Sequence, residues 1–73
     1  MSVLSPPVRI TVNGADAECP AGLSVEQLLE HLKLPAGRVA VERNREIVGR
    51  GTREQVLVRP GDVFEIVTFV GGG

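Results

Sequence analysis

Val8-Arg9-Ile10-Thr11-Val12 alternates apolar and polar side chains without a break, and Ala15 to Cys19 repeats the alternation in a weaker form. Period-two patterning of this kind predicts strands with one buried face. Asn13-Gly14 lies between them, and both residue types tolerate the positive φ that a tight hairpin turn requires. Pro20-Ala21-Gly22 ends the hairpin. The period then changes: Val25, Leu28, Leu29 and Leu32 recur at helical spacing, with Glu26, Glu30 and Lys33 off that face. Ser24 is placed to cap the helix, with Gln27 three residues on to complete a capping box and Leu23 and Leu28 to staple its start. Leu34-Pro35-Ala36-Gly37 predicts an end near Lys33. Beyond it, Arg38 to Arg43 carries Val39 and Val41 as a third strand, Glu46-Ile47-Val48 reads as a short fourth, and Gly49 and Gly51 break the regularity. Val56-Leu57-Val58 leads into Arg59-Pro60-Gly61-Asp62, with Pro and Gly where a type II turn places them. Val63 to Val70 is the longest and most apolar run and is predicted as the central strand.

One amphipathic helix can cover one face of one sheet. Hairpin, helix, short strands and a final apolar strand are reconciled if the first and last strands lie side by side in the middle. The expected class is therefore α+β, a β-grasp (ubiquitin-like) roll with a mixed sheet of four to five strands packed on one main helix. Residues 1–7 read as a flexible leader, 8–70 as the β-grasp domain and 71–73 as a flexible glycine tail.

In the final strand Phe64, Ile66, Thr68 and Val70 share one face, and Val63, Glu65, Val67 and Phe69 the other. An unpaired Glu65 carboxylate is too costly to bury, so Phe64 and Ile66 are expected inward. Val67 and Phe69 then lie on the outer face, next to the tail. They either form a docking surface with Val70 or pack beneath the irregular segment 49–55.

Seventy-three residues make a single domain, which buries only about 60% of its unfolded surface. With two Phe and no Trp or Tyr, the core must be aliphatic. A net charge of −1 gives no electrostatic case for nucleic acid or an anionic membrane. Arg and Glu alternate between Glu42 and Glu54, which reads as a mixed solvated face. Cys19 has no partner for an internal disulfide. MSVLSPP lacks the charge and apolar run of a signal peptide, and no segment approaches the roughly 20 apolar residues of a membrane helix. A soluble cytoplasmic protein is expected.

The last residues, TFVGGG, place glycines where no core can use them. Chemistry on a C-terminal carboxylate needs such a tail: the group must be activated, most simply by adenylation, inside a narrow site that side chains would obstruct. Four residues from Val70 to Gly73 reach roughly 13 Å when extended.

At this level of detail the chain resembles the bacterial ubiquitin-like sulfur carriers, and among them the thiamine-pathway branch, the ThiS carriers. The resemblance spans Val8 to Gly73. It rests on Val12-Asn13-Gly14, on Leu23-Ser24-Val25 with Leu28-Leu29, and on Val39-Ala40-Val41-Glu42. It continues through Pro60-Gly61-Asp62 and Glu65-Ile66-Val67 to Phe69-Val70-Gly71-Gly72-Gly73. What it implies is a protein co-substrate and not an enzyme. An E1-like adenylyltransferase would join AMP from ATP to Gly73. A cysteine desulfurase or rhodanese-type donor would supply sulfur, and the Gly73 thiocarboxylate would pass it to thiazole synthase. Gly71 and Gly72 would enter the partner's active site, and Val67, Phe69 and Val70 would dock. No bound cofactor, metal, catalytic side chain, nucleic acid or membrane is implied.

Other readings stay open at this point. The same terminus would serve molybdopterin synthesis, tRNA thiolation or attachment to protein lysines, and the outer strand face alone would serve a plain β-grasp binding module. Cys19 reads as a small inward-facing residue on the hairpin in preference to a persulfide-bearing thiol. His31 is expected on the solvated side of the helix, with no second His or Cys close in sequence to complete a metal site.

Overall fold

The computed structural model describes residues 6–69. The expected elements are present: β1 (Val8–Val12), β2 (Ala15–Cys19), α1 (Val25–His31), β3 (Val39–Arg43), β4 (Glu46–Val48) and β5 (Val63–Thr68), with 3₁₀ turns at Ala36–Arg38 and Arg50–Thr52. They build a five-stranded sheet in the order β2-β1-β5-β3-β4. β1 and β5 run parallel at its centre, and the other neighbours are antiparallel. This is the β-grasp roll, with α1 on one face.

Local chemistry sets each boundary. Asn13 and Gly14 hold φ of 51° and 83°, the left-handed pair that a two-residue hairpin uses. The Ser24 side chain accepts the Gln27 N–H at 3.2 Å, and the Gln27 side chain accepts the Ser24 N–H at 3.0 Å. The helix stops two residues before the expected point because Lys33 turns left-handed at φ 61°. Its N–H donates to the Glu30 carbonyl and that of Leu34 to the Leu29 carbonyl, a Schellman closure made without glycine. Gly61 at φ 85° forms the turn before β5.

The core contains Val8, Ile10 and Cys19 from the first hairpin, Val25, Leu28 and Leu29 from α1, and Val39, Val41, Val48, Val58, Phe64 and Ile66 from the remainder. Phe64 is its largest fully buried side chain, and burial on this scale contributes about 1.5–3 kcal/mol. β5 extends from Val63 to Thr68, short of the expected run to Val70. Its antiparallel register with β3 ends at the Val39–Thr68 pair, followed by one backbone bond from the Phe69 N–H to the Arg38 carbonyl. Val70 and Gly71–Gly73 lie outside the described residues, as do residues 1–5 of the leader.

Of the alternating charges between Glu42 and Glu54, Glu42, Arg45, Glu46, Arg50 and Glu54 form the mixed solvated face that the pattern implies, while Arg43 and Arg53 are drawn in. Arg53 is buried, and its Nη2 donates to the Val39 carbonyl at 2.7 Å. β4 pairs with β3 only from Val41 to Arg43, so the Val39 carbonyl lies past the end of its neighbour and takes a side-chain donor instead. Arg50 donates to the Gly37 carbonyl from the same segment. Arg43 Nε donates to Asp62 Oδ2 at 2.8 Å. Charge alternation records which side chains carry charge, and the uneven strand lengths decide which are drawn in.

Asp62 is a buried hub. It also accepts from Asn44 Nδ2 at 3.1 Å and the Arg59 N–H at 2.9 Å. Burial works to raise its pKa. The hydrogen bonds from Arg43, Arg59 and Asn44, with the charge of Arg43, outweigh it and leave the carboxyl below its ordinary value.

Replacing Arg53 with Met leaves the Val39 carbonyl buried without its donor, and urea melts are expected to show a loss of about 1–3 kcal/mol. The depressed Asp62 pKa makes its stabilisation complete above the unfolded value of about 3.9 and lost as pH falls through the lower folded value. Asp62→Asn is therefore expected to lower stability by about 1–2 kcal/mol at neutral pH. The gap from wild type should close below about pH 4 when both are melted across the acid range.

Candidate functional site

The strip leading to the glycines is set by strand parity and by the way β5 is held. Asn13 sits at the end of β1 with its N–H donating to the Phe64 carbonyl at 2.8 Å. Its side-chain amide then continues the ladder, accepting the Ile66 N–H at 2.7 Å and donating to the Ile66 carbonyl at 3.0 Å. On the other flank Asn44 accepts the Val63 N–H at 2.9 Å and donates its own N–H to the Val63 carbonyl at 2.7 Å. At the far end the Phe69 N–H reaches the Arg38 carbonyl at 2.7 Å. Backbone tethers thus define the path up to the residue before Val70.

That anchoring fixes which side chains face outward. Phe64 and Ile66 enter the core, while Val67 and Phe69 are 58% and 56% exposed. The alternative that they pack beneath segment 49–55 is not what the fold does; that segment is tied to the start of β3 through Arg50 and Arg53. Val63 and Ile47 are also exposed. Ile47 was not singled out from sequence, but a signal was present. In a three-residue strand with Val48 committed to the core, parity turns Ile47 outward.

The competing residues do not assemble a chemical centre. Cys19 is buried in the core, and burial pushes its thiol pKa up, away from the thiolate that reacts. The exposed His31 lines the same shallow depression as Cys19, along with Pro7, Glu18 and Pro20, yet no hydrogen bond joins the two among the described residues. No group of three or more His, Cys, Asp or Glu is placed to hold a metal among those residues. No helix among them is long and apolar enough to cross a membrane. The expected sulfur-carrying Gly73 and the entering Gly71 and Gly72 lie outside the described residues, as does Val70 of the docking set. Val67 and Phe69 are the site residues whose surroundings are visible.

Known proteins resemble this chain in sequence and in fold. A thiazole synthase of Paramagnetospirillum magneticum contains a segment 44% identical over 66 residues, covering 90% of this chain. The chain spans only 20% of that relative's length. The Bacillus subtilis sulfur carrier protein ThiS is 38% identical over 65 residues, covering 88% of this chain and 98% of that one. The crystal structure of a thiamine biosynthesis protein (ThiS) from Geobacter metallireducens superposes with a TM-score of 0.75 at 37% identity, covering 90% of this chain and all of that one. The pattern of the ThiS family itself matches residues 10–73, from the first strand through the final glycine. With the fold, the strip and the glycine run all inside that match, the chain belongs to the ThiS family.

Proposed function

We propose that this protein carries sulfur as a thiocarboxylate on Gly73 and donates it for thiazole formation in thiamine biosynthesis. The observation that carries the reading is the course of β5, tethered up to Phe69 with apolar side chains facing out, immediately before a run of glycines. Family membership and the thiazole synthase relative support it.

The chemistry follows from what a carboxylate needs. It is a poor electrophile, so the Gly73 carboxylate oxygen attacks the α-phosphorus of ATP on an E1-like adenylyltransferase and releases pyrophosphate. A persulfide from a cysteine desulfurase or rhodanese-type donor then attacks the acyl carbon and expels AMP. Cleavage of the resulting S–S bond by a second thiol leaves the thiocarboxylate. Gly71 and Gly72 admit close approach in a narrow channel because they have no Cβ. Val67, Phe69 and Val70 dock the folded body against the partner. In this scheme the protein is a co-substrate that binds no cofactor of its own and works in the cytoplasm, where the buried Cys19 is kept as a free thiol. Thiazole synthase receives the sulfur.

Intact mass after incubation with the adenylating enzyme, ATP and a sulfur donor is expected to rise by the difference between a sulfur and an oxygen atom. A chain lacking Gly72 and Gly73 is expected to melt like wild type and show no such shift. A plain binding module would keep its function through that truncation. Phe69→Ala, at an exposed position, is expected to change folding stability by less than about 0.5 kcal/mol while weakening partner binding by more than about 1 kcal/mol in calorimetric titration.

A further inference from the structure

The outer face of the sheet carries a feature that apolar docking alone does not explain. In the antiparallel register of β3 with β5, Glu42 stands directly opposite Glu65, and on its other side Glu42 faces Ile47 of β4. Both glutamates are exposed. Among the described residues neither enters an ion pair or a side-chain hydrogen bond. The arginines that do pair on this sheet are committed elsewhere, Arg9 to Glu18 and Arg43 to Asp62. Directly opposed side chains stand about 4.5–5.5 Å apart at Cβ, and like charges placed so destabilise a sheet. Around the pair stand Val63 and Val67, one strand step to either side of Glu65, with Ile47 beyond Glu42 and Phe69 towards the tail.

We infer that Glu42 and Glu65 together receive a cationic side chain, best an arginine, presented from an apolar surround on the thiazole synthase partner. The inference rests on the carrier reading and names the chemistry of its docking partner. Two carboxylates at this spacing suit one planar guanidinium, which can donate to both at once. The apolar rim removes water as the surfaces meet and so strengthens the attraction. The pair lies on the same face of β5 that runs on to Phe69, so a cation seated there fixes the carrier's register while the glycines enter. A segment resembling this chain is covalently part of a thiazole synthase in a relative, which favours that occupant.

The test titrates the full chain against purified thiazole synthase from the same organism by calorimetry, at about 0.05 and 0.5 M salt, where screening differs strongly. E42Q/E65Q keeps the size of both side chains while removing their charge. Its affinity is expected to fall about 10-fold at low salt with most of the salt dependence gone, and its Tm to rise by about 1–5 °C as the repulsion is relieved. Val67→Ser is expected to weaken binding but keep the salt dependence. Binding of E42Q/E65Q within about twofold of wild type, with unchanged salt dependence, overturns the inference. Wild type that fails to bind thiazole synthase overturns the occupant. So does a double variant that binds it normally yet no longer acquires the thiocarboxylate, which assigns the pair to the adenylating enzyme. Failure of the carrier reading shows separately, as wild type that never gains the sulfur mass.

Discussion

A central strand must satisfy its backbone on both edges, and in this protein two asparagine side chains complete that requirement. β1 and β5 share only two register pairs. Asn13, left-handed at the hairpin turn, then substitutes its amide for a further residue of backbone and bonds both polar groups of Ile66. Asn44, also left-handed at its own turn, bonds both polar groups of Val63 through its side chain and backbone. An asparagine amide carries a donor and an acceptor in the arrangement of a peptide group, and its short side chain tolerates positive φ. Two turns therefore serve as two clamps on one strand, which holds Phe64 in the core and keeps Phe69 exposed.

The same economy explains the polar interior. A 73-residue chain has little apolar surface to bury, so orphan carbonyls and N–H groups at the ends of short strands are costly. Arg53 and Asp62 resolve this by reaching past the strand ends, one to the Val39 carbonyl and the other to a turn N–H and two side chains. The outer face itself keeps exposed apolar side chains and two facing carboxylates.

Much of this was legible beforehand, for reasons that differ between residues. The capping box at Ser24 and Gln27, the Asn13-Gly14 turn and the parity of Phe64 and Ile66 all act within a few residues, so they can be read directly from neighbours in sequence. The inward setting of Cys19 followed from the same alternation. The roles of Arg50 and Arg53 were not legible, because what recruits them is the early end of β4, a contact over 13 and 14 positions in the chain. Nor was the left-handed turn at Lys33, a position where glycine is the usual signal.

Periodicity and turn chemistry thus carried the element order and the buried face of each strand, since each depends on near neighbours. Which strands meet, and in what register, depends on residues far apart in the chain. That pairing alone set Glu42 against Glu65 and joined Ile47, Val63, Val67 and Phe69 into one surface. Alternation fixes the face a residue occupies but not its cross-strand neighbour, because many registers bury the same apolar set and the folded sheet adopts one.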